Sequence, residues 1–580
     1  MSRAGGGTGT AVRAKAGWLP PALAAALGVL VYLAALGNPF VYDDRATVLD
    51  NPSLVDLANW RFVLVYSLFR PVVNVSYAID RAVWGFDAFG FHLTNLLLHL
   101  VNIALVHRFV WHAAGDAARR HGEEPPATRG LVAFATSALF AVHPLLTEAV
   151  GYVSGRSEVL CATFLLAALL MGRRRLAGGA LPWLAGGLAM FALALGAKEV
   201  AAVFPLLLAA YDGLCGGGTP ADRRRRLWRL HAPLAAAVAA AAVVRLATLA
   251  AEPTAIGFGS PWQNLLTQVT VVTRYLGLLV LPVGQSIAHA VEAPAPAGAV
   301  VAALVLLAAG AWAAFAARRR APLATLGAIW FLLLVAPSSA VPLREPMAEH
   351  RVYLASAGVF LIAALVLVSR PSARAGAGAR AVPGWRVAVL VAALAALGGL
   401  TVARNRVWAS PVTLWADAAA AAPRAWEPHY QLGDALRESG RCADAIEPYL
   451  VVTELRPSHR DAFNNLGICL AETRQLDQAR EAFTRALAID PGFARAHNNL
   501  GGLALVARDH AEARRQFEQA LALDPDNVLA RRQLASLFET VFDDPAEAAR
   551  FCREILALDP RTPGAAECVA RNEARIRDVR

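Results

Sequence analysis

Charge is scarce in this chain. Only 17% of its 580 residues are Asp, Glu, Lys or Arg, where a soluble protein of this length carries about 25%. The shortage is concentrated before about residue 405, and the remainder has the composition of a soluble helical domain. A single soluble body is thereby excluded and two domains are expected. Cysteine is sparse as well. Six cysteines (Cys161, Cys215, Cys442, Cys469, Cys552, Cys568) are scattered without close pairing, and neither a CxxC nor a Cys/His metal spacing occurs. Cys161 falls within an apolar helix as a small packing residue. The net charge of +11 does not form a nucleic-acid surface, because Arg173 to Arg175, Arg223 to Arg226 and Arg318 to Arg320 lie in short links between apolar segments. There they mark membrane topology and attract anionic lipid.

What is present is a series of apolar runs, at about 18–37, 91–110, 131–146, 157–172, 181–197, 200–214, 230–250, 263–283, 298–316, 322–341, 352–368 and 387–403. Residues 1–17, with Arg3, Arg13 and Lys15, read as a cytoplasmic tail, so the first run carries the chain outward. A cleavable leader ending near Ala34-Ala35 is the alternative, for which the run is long. Were all twelve runs to cross, Arg318 to Arg320 and Arg370 to Arg386 would fall outside. The segment 263–283, broken by Gln268, Thr270, Thr273 and Arg274, is therefore expected to lie along the outer face. About eleven crossings remain for residues 18–405, with the C-terminal part outside the cytoplasm.

The stretch Asn38-Pro-Phe-Val-Tyr-Asp-Asp-Arg45 then emerges at the outer membrane surface. Its adjacent carboxylates, Asp43 and Asp44, suit general-base chemistry; a solvated loop with an Asx turn is the bland alternative. The same topology gathers His143, Glu148, Arg156, Glu158, Lys198, Glu199, Arg344, Glu345, Glu349, His350 and Arg351 near that face, an outward-opening polar cavity. Neighbouring ion pairs such as Lys198 with Glu199, or Arg156 with Glu158, would account for some of them. His92, Asn95, His99 and Asn102 form a stripe at helical spacing, best read as interhelical hydrogen bonding.

Beyond residue 405, Leu432-Gly433, Leu466-Gly467 and Leu500-Gly501 recur 34 residues apart, as do Pro457, Pro491 and Pro525. Ala445 with Tyr449, Ala479 with Phe483 and Ala513 with Phe517 keep the same step. This is the tetratricopeptide pattern, one helix–turn–helix per unit. Units are placed at about 426–459, 460–493, 494–527 and, less regularly, 528–562, within an α-solenoid of residues 406–580. Val412 to Ala422 reads as the second helix of a truncated leading unit. Gln431, Asn465, Asn499 and Gln533 hold equivalent places on the first helices, which line the concave face. Their amides form a ladder suited to an extended peptide backbone; an ordinary polar groove lining is the alternative.

The run His143-Pro-Leu-Leu-Thr-Glu148-Ala-Val-Gly-Tyr-Val-Ser-Gly-Arg156-Ser-Glu158-Val-Leu160 resembles the transmembrane-and-tetratricopeptide O-mannosyltransferase family. Supporting stretches are Phe40-Val-Tyr-Asp-Asp44, Ala197-Lys-Glu199 with Tyr211-Asp212, Arg274-Tyr-Leu-Gly277 and Glu349-His-Arg-Val-Tyr-Leu354. The sequence departs from the family in its small repeat count and its Arg- and Ala-rich composition, from which a bacterial relative is expected. The resemblance implies an all-α, GT-C-like membrane core that takes sugar, mannose as the candidate, from a polyprenyl-phosphate carrier by inversion. It places the catalytic acid at Asp43 or Asp44. Arg351, Arg156 and Lys198 are the candidate partners of the departing phosphate, Arg351 foremost because guanidinium binds phosphate bidentately. His143, Glu148, Glu158 and Glu349 are left to hold or orient the acceptor. No cofactor is demanded, and a divalent cation (Mg or Mn) stays open. The expected partners are the lipid-linked donor, a protein or peptide held by the repeats, and the inner membrane. A membrane-anchored scaffold, and glycosylation of a lipid or cell-wall glycan, are the competing readings.

Overall fold

The computed structural model describes residues 8–124, 128–250, 260–292, 294–340, 343, 345–368 and 382–579. Arg3, Arg344 and the stretch from Arg370 to residue 381 lie outside them. The protein is all-α, with no strand among the described residues. It divides into two compact units, Met1–Leu414 and Trp415–Arg580, at a point within the helix Pro411–Ala421.

In the first unit six helices are long and apolar enough to cross a membrane: Leu19–Gly37, Ala88–Arg120, Val153–Leu176, Ala297–Ala317, Pro322–Ala340 and Gly384–Val407. The pair Arg129–Val142 and Pro144–Val150, bent by 58°, makes a seventh, and Leu181–Ala197 and Ser356–Val368 are shorter apolar helices. The protein is thus a multi-pass membrane protein, although length and composition alone do not reach the eleven crossings expected. The reason is that several apolar runs are broken. The 200–214 run splits into a 3₁₀ turn, Glu199–Val203, and the short helix Phe204–Leu214. The 352–368 run becomes a 3₁₀ turn, Glu349–Val352, and Ser356–Val368. Such breaks free backbone groups, which the bundle tolerates only where protein partners re-satisfy them.

The exposed faces are those of a bilayer protein. The helix Ala297–Ala317 carries no charge, yet only 11% of its apolar window is buried, and Val301, Val305, Trp312 and Phe315 stand on its surface. In water such a patch would be untenable; in lipid it is the expected outer surface. Inside, helices meet closely where residues are small. Gly327 and Gly358 face each other across Pro322–Ala340 and Ser356–Val368, and a Cβ on either would run into the other's carbonyl oxygen.

The segment 263–283 is an uninterrupted helix, Pro261–Val280, opened by a reciprocal Ser260/Gln263 cap. Its polar residues do not break it. Thr267, Thr270 and Thr273 bond carbonyls of their own helix, while Gln268 and Tyr275 bond backbone groups at Pro346 and Ala348. Three of the four residues of the stripe on Ala88–Arg120 bond other segments, while both ring nitrogens of buried His92 have no hydrogen-bond partner among the described residues. Asn95 donates to the Tyr152 carbonyl (3.0 Å), Asn102 to that of Val159 (2.9 Å), and His99 pairs with the Tyr353 hydroxyl (2.7 Å). At the far end of the same helix Asp116 binds Arg173 (2.6 Å) and Tyr211 (2.5 Å). Thus one arginine of a run read as a topology marker is also a structural strut.

The second unit pairs helices Trp426–Glu438 with Cys442–Leu455, Arg460–Glu472 with Leu476–Ile489, Ala494–Val506 with His510–Leu523, and Val528–Thr540 with Pro545–Leu558. Ala565–Val579 closes the row. The recurring glycines are required by packing. A Cβ at Gly433, Gly467 or Gly501 would sit 2.6–2.7 Å from the ring of Tyr449, Phe483 or Phe517. Stacking also pairs four cysteines that are far apart in sequence, Cys442 with Cys469 and Cys552 with Cys568, leaving Cys161 and Cys215 free and buried. The signal missed was positional: Cys442 opens a second helix, and Cys469 lies on the first helix of the next unit, which stacks against it.

Candidate active site

The chain reverses at a turn over Val41–Asp44, closed by the Asp44 N–H on the Val41 carbonyl (3.1 Å). Tyr42 takes φ 53° to make it, a left-handed conformation that costs a non-glycine residue about 1–2 kcal/mol. Its hydroxyl donates to Glu345 (2.8 Å). The turn sends the two carboxylates to different places. Asp44 is fully buried; it accepts from the Val41 N–H (3.1 Å), the Ser154 N–H (2.8 Å) and the Ser154 hydroxyl (2.7 Å). Burial lifts its pKa to about 7, against the pull of those donors. It clamps the loop to the Val153–Gly155 turn. Asp43 is exposed. Its backbone N–H donates to the Tyr152 hydroxyl (3.0 Å), and its carbonyl accepts from Thr47. Partial desolvation, then the Glu345 carboxylate and, more weakly, Glu148, raise its proton affinity, while the Tyr152 hydroxyl lowers it.

Three segments meet around this turn. Glu148 accepts from the Glu349 N–H (2.9 Å) and binds His350 (2.5 Å), tying the His143-to-Glu158 run to the 345–352 segment. Glu349, itself buried, accepts from Ser286 N–H (2.7 Å), His289 (2.9 Å) and Gln285 (3.1 Å). It fixes the loop after Pro261–Val280, which occupies both of its oxygens. His143 is likewise structural. Its Nε2 donates to the Leu279 carbonyl (3.2 Å) and its Nδ1 accepts from Leu145 N–H (3.2 Å), which occupies both ring nitrogens at 1% exposure.

The cations separate in the same way. Arg156, expected at the donor phosphate, is wholly buried. It binds Asp80 (2.5 Å), Asn95 (2.8 Å) and the Phe91 carbonyl (2.7 Å), and sits over the Tyr77 ring. No guanidinium nitrogen is left for a substrate, and its partner is not the neighbouring Glu158. Glu158 instead holds Lys198 at 2.5 Å, both nearly buried, while Glu199 lies 3.7 Å from Arg70. Arg351 is half-buried and spends one nitrogen on the Pro346 carbonyl (3.3 Å). Asp43 and Arg351 both lie within electrostatic reach of Glu148. Among the described residues no three His, Cys, Asp or Glu side chains converge as a metal site.

In the repeats the amides bind one another. Asn499 donates to Asn464 (2.7 Å), Asn464 to Asn465 (3.2 Å), and Asn465 to Asp434 (2.9 Å), which also receives the Tyr449 hydroxyl (2.6 Å). Asn465 and Asn499 are therefore not a free ladder; they join successive units. Gln431 and Gln533 are half-buried on the same helices, and Gln533 and Asn499 line a cavity of about 310 Å³.

Two tetratricopeptide-repeat models match residues 430–494 and 470–530. Protein O-mannosyl-transferase Tmtc2 of Drosophila melanogaster is 31% identical over 277 residues, 44% of this chain and 28% of that protein. Protein O-mannosyl-transferase TMTC1 of Homo sapiens is 33% identical over 192 residues, 30% of this chain and 20% of that protein. Its relatives are protein O-mannosyl-transferases. The family resembled by the motifs and the family matched are thus the same, although these matches span less than a third of the relatives' length. A solved tetratricopeptide protein of Thermus thermophilus is 22% identical, covering 33% of this chain and 96% of that one, with a TM-score of 0.25.

Of the residues singled out from sequence, the structure brings Asp43, Glu148, Glu345, Glu349, His350 and Arg351 together, keeps the buried Glu158–Lys198 pair within electrostatic reach of His350, and withdraws His143 and Arg156 into the bundle. Sequence reasoning missed Tyr152 and Ser154, which hold the acidic turn. Their position within the His143-to-Glu158 run was the available signal.

Proposed function

We propose that this chain is a membrane glycosyltransferase that moves a mannosyl group from a polyprenyl phosphate to a protein hydroxyl on the outer face, with inversion at the anomeric carbon. The observation that carries the proposal is the division of labour at Asp43-Asp44: one carboxylate is locked in the fold, the other is presented at the surface with raised proton affinity. The acceptor oxygen attacks C1 opposite the phosphate. Its proton passes to Asp43, the C1–O bond breaks, and the electron pair leaves on the polyprenyl phosphate. A base with pKa above the ordinary carboxylate range accepts the proton more readily. Arg351 takes the charge developing on the phosphate. The short helix Trp60–Tyr66 supports a lipid-borne donor, since Trp60, Val65 and nearby Leu68 are exposed in the loop that carries the acid.

The repeats hold the acceptor in this reading. Their two disulfides support an oxidising compartment, and hence an extracytoplasmic C-terminal unit with the N-terminus inside. The eleven crossings belong to the same proposal. The test uses the purified full chain in detergent with radiolabelled polyprenyl-phosphate mannose and an envelope-protein fraction, the products mapped by mass spectrometry. Hexose on Ser or Thr of a protein is expected. Label appearing in lipid or glycan alone, or no transfer by a folded sample, overturns the reading.

A further inference from the structure

The inference rests on the reading that the repeats hold a polypeptide acceptor, and it concerns which polypeptide. In the ladder Asn499–Asn464–Asn465–Asp434 each amide finds a partner in the protein. Asn498, one residue earlier and equivalent to Asn464 in the repeat, does not. It is 7% exposed, and its side-chain oxygen is buried without a hydrogen-bond partner among the described residues. An orphaned buried carbonyl costs about 1–3 kcal/mol and calls for an explanation.

Asn498 lines the same cavity of about 310 Å³, together with Asn499 and Gln533. This size is at the lower end for ligand pockets. The apolar part of the wall comes from Ile468, Val506 and Leu529, and the last two are more than half exposed. The charged residues lining it, Glu472 and Arg474, are of opposite sign, so the cavity selects no net charge. The space exists because the third unit has Gly502 where the second has Ile468; a Cβ on Gly502 would meet nothing within 4 Å.

We propose that this cavity reads one residue of an extended acceptor segment: Asn498 Oδ1 accepts a backbone N–H, and the apolar wall takes an adjacent aliphatic side chain. An acceptor oxygen beside an aliphatic pocket matches the two groups that an extended peptide presents together, and no charge on the ligand is needed. The repeats therefore favour segments bearing Leu, Ile or Val and discriminate against Asp at that place.

The test measures fluorescence anisotropy of labelled twelve-residue Ser/Ala/Gly peptides with Leu, Ala or Asp at the centre, binding to the full chain in detergent. The Leu peptide binds roughly tenfold tighter than the Ala peptide, from burial of the larger side chain. Asn498→Leu removes the acceptor but also the orphaned oxygen, so thermal stability holds or rises while affinity for the Leu peptide falls about fivefold, one net hydrogen bond. N-methylation at the matching peptide bond produces the same fall in the wild type and none beyond it in Asn498→Leu. Gly502→Leu, whose Cβ meets nothing within 4 Å, crowds the cavity and abolishes the preference for Leu over Ala. Peptides that bind Asn498→Leu as tightly as the wild type, or a Leu preference that survives Gly502→Leu, overturn this inference and leave peptide capture standing. If no peptide binds the wild type, capture by the repeats falls as well.

Discussion

Asp43→Asn and Asp44→Ala should fail in different ways, and the difference can be worked out from the turn. Asp44 receives three hydrogen bonds, from two backbone N–H groups and the Ser154 hydroxyl, at zero exposure. Truncation leaves the Val41 and Ser154 N–H groups buried and unpaired, at about 1–3 kcal/mol each. Ser154 can turn its hydroxyl elsewhere, since it also lies 2.7 Å from Thr47. The resulting loss is roughly 2–6 kcal/mol, seen as a lower melting temperature and proteolysis between the acidic turn and Asn51. Asp43 is exposed and its carboxylate is held only by the Tyr152 hydroxyl, a partner that an Asn side-chain oxygen can keep, and surface substitutions usually shift stability within about 0.5 kcal/mol. Removing a general base costs about 10²–10⁴ in rate. Thermal scanning in detergent, with transfer from polyprenyl-phosphate mannose measured on the same samples, separates the two. A wild-type melting temperature for Asp44→Ala refutes the clamp. A tenth or more of wild-type turnover by well-folded Asp43→Asn refutes the base.

Four further outcomes are expected. Because Asp43 acts ionised and its pKa is raised, the acid limb of kcat/KM lies above the ordinary carboxylate range; Glu345→Gln, which removes a cause of that rise, moves it to lower pH, and an unmoved limb counts against Asp43 as the base. Arg351→Ala raises KM for the lipid donor or lowers kcat with the fold intact, whereas Arg156→Ala strands Asp80 and unfolds the protein, by about 3–5 kcal/mol for a broken buried pair; equal melting temperatures for the two would contradict the assignment. Cys442→Ser with Cys469→Ser lowers stability by about 2–4 kcal/mol, and alkylation of unreduced, denatured wild type labels Cys161 and Cys215 alone; label on Cys442 or Cys552 denies the bridges. Reporters fused after Ala295 and after residue 405 read as extracytoplasmic and one after Arg320 as cytoplasmic, and a cytoplasmic signal after Ala295 would restore a twelfth crossing.

Much of the architecture is written in periodic features, because periodicity is local. An apolar run reports a helix in lipid whatever surrounds it, so Leu181–Ala197, Ala297–Ala317 and Gly384–Val407 lie where the hydropathy puts them. The step of 34 reports a helix pair whatever its neighbours are, so glycine and aromatic meet in three successive units.

Partnership was not legible, because it depends on which segments fold back on which. Arg156 and Glu158 are close in sequence but, one turn into the helix Arg156–Leu176, they point to different neighbours. Arg156 meets Asp80 and Glu158 meets Lys198. Asp43 and Asp44 look alike as a dipeptide, and only the turn at Tyr42 and the approach of Ser154 make one a clamp and the other a surface acid. Asn498 and Asn499 are equally polar, but Asn499 meets Asn464 of the second unit while the Asn498 oxygen, at the place equivalent to Asn464, meets no amide from the unit that follows. Residue order was enough to define the helices, their repeat and the charges they carry. Which of those charges are consumed in holding the fold was settled only by the packing of distant segments, because a buried ion must find a partner and one at the surface need not.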